Sequence, residues 1–290
     1  GQHLSLVAER DGNVIGHNAI VRDRWAFVRH PGNPHHAFEM GRAMVSPTER
    51  GHGVGGELAR RRHDIVTERY HPVALYSDCA TGHDVSTRAL LQVGYQPLGL
   101  LLGIWNDTFA MGQRESALVM AAIQSAQPSE TRSVFIPDDV EPLARAVYTA
   151  QGISRHITTT PADQITWPEE THFFVRQNLL SRSAEVFVNQ VGSNVANIVK
   201  NLIDGGAQSV VVHVKTNSTS VHFAYAQLSA LGFLPGLVWP EFGVDDKGEP
   251  YDVLSLQYLS QEARQGFLAS RIKAPAGAAE LIRDQVLRFL

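Results

Sequence analysis

The densest chemistry in this sequence is a run of glycines behind one arginine, Arg50-Gly51-His52-Gly53-Val54-Gly55-Gly56. Glycines strip the chain of side chains, so it can bend sharply and turn its amides toward a ligand. The segment from about 53 to 69 reads as a helix directly behind the run. A helix N-terminus adds unpaired N–H groups and a partial positive charge, which together make an anion site. A pyrophosphate is the ligand that such a turn suits. Upstream, Glu39 lies in a strand-like stretch, 38–45, that leads into the turn. A carboxylate there is a candidate base, able to take a proton from an ammonium group. Cys79, the one cysteine, sits in the apolar stretch 73–80 and reads as a small core residue rather than a nucleophile.

Two other phosphate motifs fit less well. A Walker A loop needs Gly-Lys-Ser/Thr after its glycines, and Gly55-Gly56-Glu57 is not that. A dinucleotide fingerprint is met only by overlapping glycines, with Asp78 as an arguable acidic partner in the next strand. His30, His35 and His36 fall in a Pro/Gly loop with no carboxylate or cysteine at a ligand spacing, so no metal is expected. These histidines could instead line the mouth of an acceptor site. Arg60-Arg61-Arg62-His63, with Arg69, offers a phosphate-contacting face, although such runs are more often solvated helix surface.

Regular elements must position these groups. Residues 4–9 and 14–22 alternate and flank Asp11-Gly12-Asn13, which predicts a hairpin. In the helix after the turn, Val54, Leu58 and Ile65 share one face, and Arg61 falls on the same stripe. A strand over 73–80, a helix over 83–93 closed by Gly94, and strands over 98–105 and 116–123 follow. Residues 123–130 turn polar and read as a linker. Beyond them come a short strand at 134, a helix over 140–151, a strand over 185–191 and an amphipathic helix over 193–204 stopped by Gly205-Gly206. The chain then offers a strand over 209–215, a helix over 221–230, strands over 233–239 and 252–259, and helices over 261–272 and 278–290.

The two halves repeat the same order of elements. Leu91-Gln-Val-Gly94-Tyr95-Gln-Pro-Leu matches Ser229-Ala-Leu-Gly232-Phe233-Leu-Pro, a helix ending in glycine before an aromatic residue that opens the next strand. Duplication explains this better than generic punctuation does.

Composition is globular, 43% hydrophobic and 19% charged over 290 residues, with no apolar run of membrane-spanning length. A net charge of −4 argues against a protein that coats nucleic acid. A single cysteine forbids an internal disulfide and suits a reducing, cytoplasmic setting. No secretory leader is visible at the start of the sequence.

The string Val45-Ser-Pro47-Thr-Glu-Arg50-Gly-His-Gly53-Val-Gly55, followed by Val93-Gly94-Tyr95, resembles the GNAT acyltransferase superfamily. The family carries Arg/Gln-x-x-Gly-x-Gly/Ala here, preceded by Val-x-Pro. The resemblance implies an α/β protein of two GNAT-like domains, each a mixed, mostly antiparallel twisted sheet flanked by helices. The first, 1–125, would bind the donor, and the second, 131–290, is degenerate: its turn, Asn189-Gln-Val-Gly192-Ser-Asn194, lacks the basic residue and the glycine ladder. No CoA is expected there. The family's first strand and first two helices are not visible before the first hairpin; either they precede the start of this sequence, or the second half supplies the wall of the acceptor site.

By this resemblance the donor is an acyl-CoA, such as acetyl-CoA, held by Met44, Val45, Arg50, Gly51, His52, Gly53, Val54, Gly55 and Gly56, with Glu39 as catalytic base. The acceptor is a small-molecule amine. The frequent family acid, a Tyr, is replaced by Leu90; Tyr95, Tyr76 and His83 are substitutes. Less favoured are aminoacyl-tRNA or an acyl carrier protein as donor, and a non-catalytic CoA-binding role. A homodimer stays open.

Overall fold

The computed structural model describes residues 3–22, 37–105, 114–124, 132–160, 166–265 and 272–290. β1 (His3–Arg10) and β2 (Asn13–Arg22) form the expected hairpin. Its turn residues Asp11 and Gly12 both have positive φ, 52° and 78°, the geometry that matches the twist of the flanking strands. β3 (Ala37–Val45) pairs antiparallel with β2, and α1 (Val54–Tyr70) follows the glycine turn. Then come β4 (Ala74–Ala80), α2 (Val85–Leu91), β5 (Gln96–Trp105) and β6 (Glu115–Ile123).

The second half runs β7 (Arg132–Phe135), α3 (Glu141–Gln151), β8 (Arg155–Thr158), β9 (His172–Asn178), β10 (Ser183–Gln190), α4 (Val195–Asp204), β11 (Ser209–Lys215), α5 (Ser220–Ser229), β12 (Leu234–Val244), β13 (Pro250–Leu259), α6 (Gln261–Gln265) and α7 (Ala278–Leu287). β7 and β8 make a separate two-stranded parallel sheet. The sequence reading passed over β8 and β9. β8 is only four residues long, and β9 is half polar and sits at a sheet edge, so neither shows a clear apolar alternation. Of the helix expected over 261–272, α6 is the described part; residues 266–271 lie outside the described residues, and Ile272 is not helical. The linker expected over 123–130 and the histidine loop over 30–36 also fall outside them, apart from the end of β6, Gln124.

All strands but β7 and β8 join one eleven-stranded sheet in the order β1-β2-β3-β4-β6-β5-β12-β13-β11-β10-β9. Read inward from either end, β2-β3-β4-β6-β5 and β9-β10-β11-β13-β12 are the same arrangement. In each, one pair is parallel (β3 with β4, β10 with β11) and the rest are antiparallel. The mixed, mostly antiparallel sheet with flanking helices expected for each half is therefore present, and the two sheets merge into one.

Even the irregularities repeat. Pairing slips in β5 between Pro97 and Gly99 and again between Leu101 and Trp105; in β12 it slips between Pro235 and Leu237 and between Trp239 and Gly243, at identical spacing. Inside the second slip, Gly103 and Glu241 both adopt φ 52°.

The two sheets join through one ladder pair, Leu237↔Gly99. A Cβ on Gly99 would lie 2.1 Å from the Gly236 carbonyl oxygen, so only glycine lets these strands approach. The Gln257 side chain, reaching from β13, completes the seam: its Oε1 accepts from Leu102 N at 2.7 Å and its Nε2 donates to Leu100 O at 3.0 Å.

The buried face of α1 differs from the expected stripe. Leu58, Ala59, Arg62 and Val66 are buried, Val54 and Ile65 are half-buried, and Arg61 is exposed. The charged residue that breaks the apolar face is thus Arg62, not Arg61. α3 and α7 pack together on β5, while α4 and α5 pack on the second half's strands.

Candidate functional site

The glycine turn has the shape its composition dictates. Gly51 and Gly53 take φ 83° and 80°, which side-chain-bearing residues resist. A Cβ at Gly51, Gly53 or Gly56 would meet no atom within 4 Å, so the turn is open rather than a packed corner. Gly53 caps α1, and the amides of Val54, Gly55 and Gly56 begin the helix, where no carbonyl of its own can reach them. Gly55 closes against Val45, whose Cγ2 would lie 3.5 Å from a Cβ there. Arg50 is exposed and folds back, donating from Nε to the Val45 carbonyl at 3.3 Å. His52 is exposed and Met44 is 66% exposed, both at the rim.

β3 then leads from this turn to the centre of the sheet. It pairs with β4 at only three positions, Ala37↔Ala74, Phe38↔Leu75 and Glu39↔Tyr76. One residue on, the ladder is replaced by a side-chain bond, Ser77 Oγ donating to Met40 O at 2.6 Å. Beyond it β3 carries a left-handed residue, Arg42 at φ 56°, and has no further pairing with β4. From Glu39 to Val45 the strand spans at most about 20 Å at roughly 3.3 Å per residue, since the left-handed Arg42 shortens it. A strip of β3 without a β4 partner therefore runs from the carboxylate toward the glycine turn.

Glu39 is half-buried. Phe38 stacks on Tyr70 at the end of α1, with ring centroids 4.9 Å apart, so strand alternation sets Glu39 on the opposite face. Its register partner Tyr76 meets Trp239 of β12, ring to ring at 5.3 Å. The aromatic run continues from Trp239 to Phe242 and on to His213 and Phe187. The second half thus reaches into the neighbourhood of Glu39.

That reach depends on the slip in β12. Asp252 accepts from Glu241 N at 2.9 Å and from Arg155 Nε at 2.7 Å; Glu241 accepts from Arg155 Nη2 at 2.7 Å and Arg132 Nη1 at 2.8 Å. The Arg155, Glu241 and Asp252 side chains are all at most 4% exposed. Burial alone would lower the Arg155 guanidinium. Hydrogen bonds and charge from Asp252 and Glu241 outweigh it and hold the group above the ordinary arginine value. The sequence reading missed this network because its members lie far apart in the chain.

The basic run is divided by the helix. Arg60 and Arg61 both bond Glu57, at 2.6 and 2.9 Å, and Arg60 also bonds Asp64 at 2.9 Å. Arg62 turns inward. His63 is half-buried beside Tyr95, with its pKa lowered by burial. The run does not present one continuous basic face. A groove of about 490 Å³, lined in part by Leu6, Val7, His52, Val54, Glu57 and Arg61, opens on the β1 side of α1's first turn, away from the strip along β3.

Of the expected substitutes for a family acid, Tyr95 is 1% exposed and burial raises its hydroxyl pKa. Tyr76 lies beside Glu39. His83 precedes α2. Leu90 is buried. Cys79 is buried as expected, and desolvation pushes its thiol up to about 12. Among the described residues no cluster of three or more His, Cys, Asp or Glu could hold a metal, and no helix is long and apolar enough to cross a membrane.

No protein-family model matches the sequence, and no curated protein matches it. Solved structures do. One is the ribosomal-protein-alanine N-acetyltransferase from Brucella melitensis, 24% identical, covering 41% of this chain and 67% of that one, with a TM-score of 0.35. Another is yncA from Salmonella typhimurium with its cofactor acetyl-CoA, 18% identical over 43% of this chain and 66% of that one, TM-score 0.37. A third is a GCN5-related N-acetyltransferase from Kribbella flavida, 20% identical over 42% of this chain and 67% of that one, TM-score 0.35. The likeness is to N-acetyltransferases. The chain spans about two thirds of the length of these structures.

Proposed function

We propose that this chain is an N-acyltransferase that moves an acyl group from an acyl-CoA to the amine of a small molecule. The observation that carries the reading is the open strip of β3. It has an anion-binding turn at one end and a carboxylate at most about 20 Å away at the other. A ligand that uses both ends is long and thin, with phosphates at one end and its reactive group at the other. Phosphopantetheine thioesters have that form. The β3 edge that β4 leaves without a strand partner suits the amides of such an arm, and the glycine turn suits its pyrophosphate.

In this reading residues 1–125 bind the donor, and residues 131–290 wall the acceptor side through Trp239. Glu39, directly or through water, takes a proton from the acceptor's ammonium. The freed amine nitrogen attacks the thioester carbonyl carbon, the C–N bond forms, the C–S bond breaks with its electron pair going to sulfur, and the second proton on nitrogen passes to solvent water to leave a neutral amide and a thiolate. The salt-bridged state of Arg60 and Arg61 favours a free CoA ester over a tRNA-borne donor, which would draw on an uncommitted basic face.

Calorimetric titration with acetyl-CoA and free CoA tests the donor site. Wild type is expected to bind both. Gly53→Asp sets a negative charge and a strained residue in the turn, and is expected to weaken both at least tenfold. Absence of binding by a folded wild type would overturn the reading. If binding holds, Glu39→Gln is expected to keep donor affinity and lose turnover with any amine found by screening.

A further inference from the structure

Arg62 stands out among the charged groups of the first half. It is 2% exposed, and no carboxylate lies within ion-pair distance of it among the described residues. Its Nη1 donates to the carbonyls of Gly41, at 3.1 Å, and Ala19, at 3.4 Å, while its Nε is buried without a partner. Burying a guanidinium is costly unless charge and hydrogen bonds compensate. Two carbonyl contacts offset part of that cost and leave one donor and a net positive charge unanswered. Burial accordingly pulls the group below the ordinary arginine value, though an arginine so placed still keeps its proton.

Its position matters more than its cost. Gly41 is two residues past Glu39↔Tyr76, the last pair of β3 and β4, and one residue past the Ser77–Met40 bond. The titratable groups around the guanidinium are Cys79 on β4, Tyr95 before β5, and His63 beside it on α1. The first two are neutral at ordinary pH. Among the described residues the helix thus holds a cation with no ion-pair partner over the β2–β3 register pair Ala19↔Gly41, near the point where β3 and β4 part.

We infer that Arg62 receives the negative charge that develops on the thioester sulfur as the C–S bond breaks. This rests on the acyl-CoA reading, in which the thioester lies near Glu39. A fixed, water-excluded cation that is already in place costs no reorganisation as the charge develops. Arg62 does not give up its proton; the sulfur leaves as thiolate and is protonated later by water. A separate acid on α2 is then unnecessary, and Leu90 at that position presents no difficulty.

The test compares CoA with desulfo-CoA, which lacks the thiol. Their affinity ratio is measured by calorimetry between pH 6 and pH 9, so that the protein's own titrations cancel. A free cysteine thiol ionises near about 8.5–9. For a thiol of that acidity, a lowering of one unit by Arg62 makes CoA gain about five- to eightfold over desulfo-CoA across that range. Arg62→Gln is expected to abolish the gain while leaving desulfo-CoA affinity and the circular dichroism spectrum unchanged. Arg62→Lys is expected to retain part of it. A flat ratio in the wild type overturns the inference, even if the glutamine variant cannot be folded, and leaves the acyl-CoA reading standing. A gain that survives Arg62→Gln overturns it too. If neither ligand binds the wild type, the acyl-CoA reading falls and the inference falls with it.

Discussion

The two halves of this chain share a topology and differ where it matters for a ligand. In the first, β3 and β4 part after three pairs; in the second, β10 and β11 stay paired over six, from Ser183↔Ser209 to Val188↔Val214. In the first, the glycine turn before the helix is open. In the second, the chain fills its own turn. Gly192 N donates to Thr171 Oγ1 at 2.9 Å, Ser193 N donates to Pro168 O at 2.8 Å, and Asn194 Oδ1 accepts from Thr171 N at 2.9 Å. The segment 168–171 presses so closely that a Cβ on Gly192 would lie 2.2 Å from the Glu170 carbonyl carbon. The same strand order therefore makes a cleft or a closed wall, according to which groups answer the amides at the helix start.

The largest effect is expected where the second half solved a problem that the first half solved with glycine. Gly103 adopts φ 52° without strain, whereas Glu241 at the same φ is held by Arg155, Arg132 and Asp252. Arg155→Ala leaves two buried carboxylates short of their main partner and is expected to cost about 3–5 kcal/mol in urea unfolding. Any such loss in the second half should also weaken acceptor KM through Trp239. A cost below about 1 kcal/mol would break the idea that charge replaces glycine here.

Next is the seam. Gly99→Val sets a side chain against the Gly236 carbonyl and is expected to destabilise by about 1–3 kcal/mol or more through overpacking. Two separate unfolding transitions in this variant would sharpen the view of two sheets joined at one ladder pair.

Thr171→Val addresses the filled turn. It removes the acceptor of the Gly192 amide and is expected to cost about 1–3 kcal/mol. The variant should still bind one acetyl-CoA per chain, since β10 and β11 remain zipped. A second equivalent bound would show that the segment alone closes the site.

The smallest effect is alkaline. The Cys79 thiol is pushed up to about 12 by burial, from a usual value near 9. The unfolded chain therefore loses this proton first. The stability the thiol contributes is complete below about pH 9 and falls by about 1.4 kcal/mol per unit as pH rises toward 12. Cys79→Ala should flatten that part of the pH–stability curve relative to wild type, and an unchanged slope would count against a neutral buried thiol.

Much of this was written locally. The hairpin at Asp11-Gly12, the strand over Ser209–Lys215, the glycine turn and the helix ends at Gly94 and Gly232 each follow from neighbouring residues, because turn chemistry and strand alternation are short-range effects. The repeat was visible for the same reason. β8 and β9 were not, since a four-residue strand and a polar edge strand gain their pairing from partners distant in sequence.

The sequence by itself determined that an open glycine turn stands between a strand and a helix, because glycine spacing and helix polarity are local properties. Which face of that helix is buried was decided by packing: Arg62 rather than Arg61 turned inward because the carbonyls of Gly41 and Ala19 lie beneath it. Tertiary structure also decided that β3 parts from β4 and that Trp239 comes to lie beside Tyr76. Those outcomes depend on which distant groups satisfy each buried backbone or charged atom, and chain spacing does not encode that bookkeeping.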